Sequence, residues 1–348
     1  MTTEERRKRL SVPSGKIRLV LDTDAKNEID DQFAIAWALR STERFDVEAV
    51  YAAPFSHDCL KTIFTGNKLE HTPGMTYAED PKSGMEQSFD EICKLYGLLG
   101  IPHENKVYKG SGRYIADHGS AVESDAAKDL VNRAMNGEGL LYVAAFGAIT
   151  NIASAILMEP EIVNRIVIVW LGGQPLYFNH ALEFNLMQDV AAAQIVFNSG
   201  VPLVYIPCMN VASHLTVTED EVRYKLMGHT AIGDYLGQSV LDAFVNPQGA
   251  GYSTAMSRKS YMRGREDQDE AYLAQFESHH VAWSRTIWDV ATIAFLKNPT
   301  WAPSTLETSP ILKDDMTWGE SGETRHEIRV VNYCYRNLIF DDLFACLT

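Results

Sequence analysis

The sequence predicts an α/β fold in a single domain, built on a mostly parallel, doubly wound sheet with long functional loops. Strand-like apolar runs alternate with helix-like segments, an order typical of a parallel sheet with helices on both faces. The run IVIVWL (166–171) is apolar throughout, as strands buried on both faces are. The 348 residues can bury a sizeable core in one large domain. These features predict a sheet of the Rossmann-like kind.

The first half of the chain begins with a polar, basic segment, 1–15, which we expect to be a flexible N-terminal tail of the single domain 1–348. An apolar strand follows at 17–21, and acidic residues open a helix at 30–40, since carboxylates favour helix N-termini. A second strand is predicted at 47–53. The stretch 55–119 is rich in Gly and Pro, and it predicts long loops around one helix at 87–99.

The second half repeats the alternation. A strand at 140–145 leads to a helix at 149–157, which Pro160 closes, and the β-branched strand 165–171 ends in Gly172-Gly173. The remaining elements follow from the same periodicities. They are a helix at 190–198, a strand at 202–206, helices at 270–284 and 286–296, and a terminal strand with an amphipathic helix in 333–347.

Charge and cysteine content limit the classes of partner and compartment. With 31 basic and 46 acidic residues the net charge is −15, which argues against binding to nucleic acid or to an anionic membrane. The five cysteines are widely spaced and form no CxxC pair. This pattern predicts reduced thiols in a cytoplasmic protein. The uncharged run 140–157 contains polar residues that favour a buried strand and helix over a membrane span.

The stretch LVLDTDAKNEIDDQFAIAWAL (19–39) concentrates acidic residues directly after the first strand. In an open parallel sheet, ligands bind beyond the carboxyl ends of the strands. Carboxylates gathered there repel one another, and they suit a hard cation with oxygen ligands. The alternative is a solvated acidic turn that caps the next helix. The spacing alone leaves both interpretations open. The residues concerned are Asp22, Asp24, Glu28, Asp30 and Asp31.

Several motifs together resemble the nucleoside hydrolases, the N-ribohydrolases that split nucleosides into base and ribose. The motif DTD followed by DD is the first, and FGAITNIA (146–153), LGG (171–173), ALEFNLMQDVAAAQIVF (181–197) and TIWDVATIAFLKNP (286–299) follow in family order. The resemblance implies calcium as the cofactor, a small-molecule nucleoside as the substrate, and assembly into a homodimer or homotetramer.

The resemblance also implies roles for individual residues. Asp24 corresponds to the aspartate that both binds calcium and acts as general base. Asp31 corresponds to the bidentate calcium ligand, Asp289 to a third carboxylate ligand, and Phe146 to the residue whose main-chain carbonyl completes the site.

Ribose binding is implied for a second set of residues. Asp30, Glu183 and Asn185 match residues that hold the ribose hydroxyls. Asn27 and Asn179 are further candidates for contacts to the ribose or the leaving base.

The sequence departs from the family pattern at three places. Five residues (25–29) separate DTD from DD, where most members have three. AAPFSHD replaces the usual GN after the second strand, so Ser56, His57 or Asp58 are candidates for the ribose contact. Trp288 stands where pyrimidine-tolerant members have a histidine acid, and purine-preferring members also have tryptophan there. The resemblance therefore implies that purine nucleosides are favoured, with Trp288 a catalytic residue that stacks on the base.

Two other functions remain possible from the sequence. A nucleoside- or ribose-binding protein could keep the pocket and lack turnover. A haloacid-dehalogenase-like phosphohydrolase also begins with a strand and DxD, but Ala25-Lys26-Asn27 does not match the hydroxyl residue that its chemistry needs.

Overall fold

The computed structural model describes residues 1–57, 78–245, 284–320, 322 and 325–348. Its centre is an eight-stranded sheet, with two small two-stranded sheets beside it. The α/β class and the doubly wound, mostly parallel sheet predicted from the sequence are confirmed.

The strands and helices of the described residues are numbered along the chain. The strands are β1 Ile17–Thr23, β2 Phe45–Ala52, β3 Val107–Lys109, β4 Leu141–Phe146, β5 Ile166–Leu171, β6 Leu203–Ile206, β7 Thr216–Thr218, β8 Ser284–Thr286, β9 Ser304–Thr308, β10 Ile311–Leu312, β11 Trp318–Gly319 and β12 Glu327–Val331. The α-helices are α1 Thr3–Arg9, α2 Asp31–Arg40, α3 Pro81–Leu99, α4 Asp125–Asn136, α5 Thr150–Met158, α6 Phe184–Gln188, α7 Val190–Ser199, α8 Ala231–Val245, α9 Val290–Lys297 and α10 Arg336–Leu347. Short helical turns lie at Pro160–Asn164, Ala212–His214, Glu219–Glu221, Val222–Leu226 and Pro299–Trp301.

The central sheet has the strand order β3-β2-β1-β4-β5-β6-β12-β9. All neighbours are parallel except β9, which runs antiparallel to β12 at one edge. The strand order reverses between β1 and β4, and such a reversal opens a crevice beyond the carboxyl ends of the strands. The residues that follow β1 and β4 therefore meet at this crevice.

Apolar side chains cover both faces of the sheet. In β1, Leu19 and Leu21 join one buried cluster and Val20 joins the other, because successive side chains of a strand point to opposite faces. Helices α2, α3, α9 and α10 pack in the first cluster, and α4, α5 and α7 pack in the second. This two-sided cover explains why β4 and β5 are buried along their whole length.

The N-terminal segment 1–15, expected to be a flexible tail, contains a helix. Residues Thr3–Arg9 form a helix, and the Thr2 side chain accepts a hydrogen bond from the Glu5 amide. Acidic residues in the first turn and basic ones in the last complement the helix dipole. Leu10 is fully buried and Arg7 pairs with Glu327 of β12 at 2.5 Å, so burial and an ion pair hold this segment to the sheet.

Two late elements also differ from the expectation. The helix predicted at 286–296 begins only at Val290, because residues 284–286 pair with β7 as a strand. The terminal strand precedes the segment 333–347 and lies at Glu327–Val331, next to β6. The helix in that segment is present, and the helix predicted at 270–284 lies almost entirely outside the described residues. In the part of the chain that is described, no helix is long and apolar enough to cross a bilayer.

Candidate active site

Three aspartates come together beyond the carboxyl end of β1. Ligand oxygens of Asp30, Asp31 and Asp289 all lie within 4.8 Å of one another, and all three side chains are buried. Asp30 and Asp31 begin α2, and Asp289 immediately precedes α9. Two helices of the same sheet face thus bring together carboxylates that are far apart in the sequence.

Hydrogen bonds fix this group from both sides. The Thr23 hydroxyl, at the end of β1, donates to Asp31 Oδ1 at 2.5 Å. The backbone amides of Trp288 and Asp289 donate to Asp30 Oδ2 at 3.0 and 3.4 Å. Asp30 therefore connects the N-terminus of α2 to the N-terminus of α9, and the position of Asp289 depends on that connection.

Asp24 lies beside the three aspartates, directly after β1. Its side chain is 2% exposed, and among the described residues its Oδ2 atom has no hydrogen-bond partner. Burial, followed by the charges of Asp31 and Asp30, raises the pKa of Asp24 well above its usual range. A buried oxygen without a donor and with anionic neighbours is the condition that a cation relieves.

The same physical cause acts on the other carboxyl groups. Burial raises the pKa of Asp31 and of Asp289 well above the usual range, and the charge of Asp30 adds to both shifts. Burial also raises the pKa of Asp30 to about 7, with a further rise from Glu28 and an opposing effect of Arg285. Carboxylate oxygens at this spacing are the donors that a hard divalent cation prefers. The residues present therefore fit a metal ion.

The main chain of β4 completes this edge of the crevice. Phe146 is the last residue of β4 and pairs in register with Thr23, so it lies at the same edge as Asp24. A Cβ atom at Gly147 would lie 3.1 Å from Asp24 N and 3.3 Å from Asp24 Cγ. Glycine at this position thus allows β4 to approach Asp24 closely.

Glu183 and Asn185 lie at the start of α6, near the acidic group. Glu183 accepts hydrogen bonds from the backbone amides of Gly173 at 2.6 Å, Asn185 at 2.9 Å and Leu186 at 3.1 Å. The Asn185 side-chain amide donates to the Leu171 carbonyl at 3.1 Å. Glu183 is close enough for its charge to add to the pKa rise of Asp24. Both side chains are held in place by the loop that follows β5.

Three other predicted site residues differ in burial. Asn27 is half-buried, its backbone amide donates to the Asp24 carbonyl at 2.7 Å, and its Oδ1 has no hydrogen-bond partner among the described residues. Trp288 is half-buried and packs against the apolar core. Asn179, by contrast, is exposed in the loop before α6, and the structure does not bring it into the buried group.

The family of the chain follows from comparison with known proteins. Residues 19–334 match the model of a family described as inosine-uridine preferring nucleoside hydrolase. The chain belongs to this nucleoside hydrolase family. The match runs from within β1 to beyond the end of β12, and it confirms the resemblance indicated by DTD, DD and the motifs that follow them.

Individual relatives of this nucleoside hydrolase family agree with that assignment. A probable uridine nucleosidase 2 of Arabidopsis thaliana is 28% identical over 232 residues, which cover 65% of this chain and 69% of the relative. The pyrimidine-specific ribonucleoside hydrolase RihB of Escherichia coli is 30% identical over 197 residues, 54% of this chain and 58% of RihB. The aligned part thus spans somewhat more than half of that bacterial relative.

Solved structures of nucleoside hydrolases share the fold. The purine-preferring ribonucleoside hydrolase from Gardnerella vaginalis has a TM-score of 0.64 at 19% identity, covering 95% of this chain and 98% of its own. The plant nucleoside hydrolase PpNRh1 has a TM-score of 0.62 at 18% identity, covering 95% and 99%. At these identities the likeness supports the architecture alone.

Two ion pairs beside the candidate site join partners that the sequence did not indicate. Arg285 pairs with Glu28 at 2.5 Å although 257 positions separate them. Lys26 pairs with Glu91 of α3 at 3.1 Å. Its ammonium group is therefore paired with Glu91 and not with the aspartates. The charged side chains of the loop 25–29 indicate that it needs partners. A local sequence pattern does not identify which distant residues those partners are.

The segment after β2, where the family has GN, is tied to α6. The Ser56 amide donates to Gln188 Oε1 at 2.7 Å, and the Tyr114 hydroxyl donates to the same oxygen at 2.5 Å. His57 is buried, and its Nδ1 accepts from the Ala78 amide at 2.9 Å. Gln188 is thus a further buried polar side chain at this end of the sheet. Asp58, the third candidate for the ribose contact, lies outside the described residues.

Proposed function

We propose that the chain hydrolyses the N-glycosidic bond of ribonucleosides, releasing free base and ribose with the assistance of calcium and with purine nucleosides favoured. The observation that carries this proposal is the buried group of Asp24, Asp30, Asp31 and Asp289 at the switch point of the sheet. Membership of the nucleoside hydrolase family indicates the class of reaction. The cluster of buried aspartates is the proposed place of that reaction.

Calcium is the cation that this donor set favours. The proposed ligands are the carboxylates of Asp24, Asp31 and Asp289 and the main-chain carbonyl of Phe146. They are all oxygen donors, and calcium accepts about six to eight of these in a flexible shell, whereas zinc prefers nitrogen and sulfur. When bound, calcium supplies Lewis acidity and holds oxygen atoms of water and ribose in a fixed arrangement.

Asp24 is the proposed general base. Its raised pKa and its buried, unpaired Oδ2 within the described part of the chain suit a group that takes a proton from the attacking water. Cleavage of a ribosidic C–N bond passes through an oxocarbenium-like state at C1′, as glycoside hydrolysis does. Anionic side chains around the ribose stabilise that developing positive charge.

Ribose binding is assigned to polar side chains around Asp24. Asp30, Glu183 and Asn185 are held rigidly by backbone hydrogen bonds, which suits residues that must present oxygens and amides to hydroxyl groups. Asn27 is proposed to add a contact through its Oδ1 atom. Asn179 stays a candidate for the leaving base, and its exposed position requires the loop before α6 to close over the substrate.

The preference for purines is proposed to depend on Trp288. An indole can stack on a purine, which by analogy with base–aromatic contacts contributes roughly 1–3 kcal/mol per base. The stacking contact accelerates the reaction only if it stabilises the protonated base more than the neutral base. Similar proteins include one named as pyrimidine-specific and one named as purine-preferring. In this proposal, Trp288 gives the chain the purine preference.

We expect Trp288→Ala to reduce kcat/KM for inosine by about tenfold or more, because about 1–3 kcal/mol of stacking is lost, and to change uridine hydrolysis less. Steady-state kinetics on both nucleosides check this, with Trp318→Ala in the edge strand β11 as a control for loss of an indole elsewhere. Equal hydrolysis of uridine and inosine by the wild-type protein would remove the purine assignment.

Substitution at Gly147 tests whether the position of Asp24 matters. A Cβ there would lie 3.0 Å from Ala53 Cβ and 3.1 Å from Asp24 N, so Gly147→Ala must push β4, Ala53 and Asp24 apart by a few tenths of an ångström. We expect kcat to fall by about tenfold, since a displacement of about 1 Å can cost about 10²-fold. Gly97→Ala is the matched control, because a Cβ at Gly97 meets nothing within 4 Å. An unchanged kcat in Gly147→Ala would show that Asp24 tolerates displacement.

Hydrolysis itself is tested with purified wild-type protein. Release of reducing sugar from inosine, adenosine, guanosine and uridine should be calcium-dependent and fastest for a purine nucleoside. The competing function, a nucleoside- or ribose-binding protein without turnover, would show calorimetric binding of a nucleoside and no release of sugar. The longer loop 25–29 and the missing GN are the two departures from the family pattern that favour this second function.

Two further expectations belong to the proposal. Cytoplasmic localisation with reduced thiols is the first. Assembly into a homodimer or homotetramer is the other expectation, and light scattering on the purified protein measures it.

A further inference from the structure

The loop 25–29, two residues longer than in most family members, is anchored at several points. Lys26 is paired with Glu91 at 3.1 Å, and Glu28 is paired with Arg285 at 2.5 Å. The Gln32 side-chain amide donates to the carbonyls of Ala25 at 2.6 Å and Glu28 at 3.2 Å. Each charge of the loop thus has a partner on a different element, α3 in one case and β8 in the other.

The pair of Glu28 and Arg285 is the more buried of the two. Their side chains are 8% exposed for Arg285 and 14% for Glu28. Within the described residues, Glu28 is the only hydrogen-bond partner of the Arg285 guanidinium, and the buried Arg285 Nε makes no hydrogen bond. Burial removes both charges from water, and few other hydrogen bonds offset that cost, so the pair contributes little net stability. We therefore consider which groups the pair positions.

Arg285 lies in β8, a short distance before the residues that complete the acidic group. The strand is fixed by pairing with β7 and by the hydrogen bond from Ile287 N to the Leu215 carbonyl at 2.7 Å. The next two amides, of Trp288 and Asp289, donate to Asp30. The segment 285–289 therefore meets the segment 28–30 twice, once through the ion pair and once through Asp30.

We propose that the Glu28–Arg285 pair is a positioning device that holds the Trp288–Asp289 segment against Asp30 and Asp31. In this role neither residue contacts the metal ion or the substrate. The pair sets where the Asp289 carboxylate and the Trp288 ring stand relative to α2. The proposal rests on the proposed function only in assuming that the acidic group binds calcium.

A purely electrostatic role predicts effects of opposite sign. Arg285 is a cation near Asp30, so its removal would make the site more anionic and tighten calcium binding. Removal of Glu28 would make the site less anionic and weaken binding. In a positioning role, loss of either partner weakens binding, because Asp289 is then held less well.

The experiment measures calcium affinity by titration calorimetry on metal-stripped protein without nucleoside. We expect Arg285→Met and Glu28→Met each to weaken calcium binding by about 10–100-fold, the range for residues that orient metal ligands. The double variant Glu28→Met/Arg285→Met should recover most of the loss, because well-packed apolar residues can replace a buried ion pair. Tighter or unchanged calcium binding by Arg285→Met overturns the proposal, and so do losses that simply add in the double variant.

Two controls keep the result interpretable. Arg18→Met removes an Arg–Glu pair of the same length, 2.5 Å to Glu48, in β1 and β2, and should leave calcium affinity unchanged. If Arg285→Met does not fold, as judged by circular dichroism, Arg285→Lys replaces it. Lysine keeps the charge and lacks the planar fork, so a positioning role predicts weaker calcium binding and an electrostatic role predicts no change.

Failure of the positioning role can be distinguished from failure of the proposed function. Failure of the wild-type protein to release sugar from any nucleoside would remove the proposed function and leave calcium titration meaningful. Normal hydrolysis together with tighter calcium binding by Arg285→Met would remove the positioning role alone.

Discussion

Replacement of Asp24 by asparagine is expected to abolish nucleoside hydrolysis while the fold stays intact. Loss of a general base costs about 10²–10⁴-fold in rate, and Asp24 is also a proposed metal ligand. Because Asp24 is buried beside Asp30 and Asp31, removal of its charge relieves repulsion in the metal-free protein. The variant should therefore unfold at a temperature no lower than the metal-free wild type.

Initial rates on inosine and melting curves by circular dichroism measure both effects. Asp46→Asn is the matched control, since Asp46 is exposed at the amino end of β2, and it should hydrolyse inosine at the wild-type rate. A rate near that of the wild type in Asp24→Asn would exclude Asp24 from the mechanism.

Removal of the metal ion is expected to lower the melting temperature, and more so at higher pH. A ligand that binds only the folded state, at a free concentration about a hundred times its Kd, contributes about 2.7 kcal/mol, which for a chain of this size corresponds to about 4 °C. In the metal-free protein, burial raises the pKa of Asp30 from its ordinary acidic value to about 7. The stability that this group contributes is present below about pH 4 and is lost as the pH rises through the raised pKa.

We expect bound calcium to reverse that dependence, because it would bind the deprotonated carboxylates and compete with protons. The difference in melting temperature between calcium-loaded and chelator-treated protein should therefore grow between about pH 5 and about pH 8. The Asp31→Asn variant, which lacks a proposed ligand, should show a much smaller difference. A difference that is the same at both pH values would mean that calcium acts elsewhere than at these carboxylates.

The fold was predictable because its central strands are continuous apolar runs bounded by clear breaks. Pro160 ends the helix before β5 and Gly172-Gly173 ends β5 itself, and both local signals agree with the three-dimensional structure. The helix α1 was missed because its contacts are distant in the sequence: Leu10 is buried in the core, and Arg7 pairs with Glu327 near the other end of the chain. The start of α9 was misplaced because residues 284–286 pair with a strand that is distant in the sequence.

The grouping of candidate site residues was predictable where those residues are close together in the sequence. The acidic residues after β1 and the pair Glu183 and Asn185 lie in short motifs, and the structure brings them to one edge of the sheet. Arg285 could not be predicted in the same way, because its proposed role depends on contact with a loop residue 257 positions earlier. The exposure of Asn179 likewise depends on the path of a loop, which periodicity does not determine.

The buried carboxylates are proposed to hold a calcium ion that nucleoside hydrolysis requires. The most direct measurement is the initial rate of ribose release from inosine by metal-stripped protein as the free calcium concentration is raised. The rate should be negligible without calcium and should rise to a plateau with the same midpoint that calorimetry yields for calcium binding. A rate that is unaffected by chelation would contradict this role of calcium.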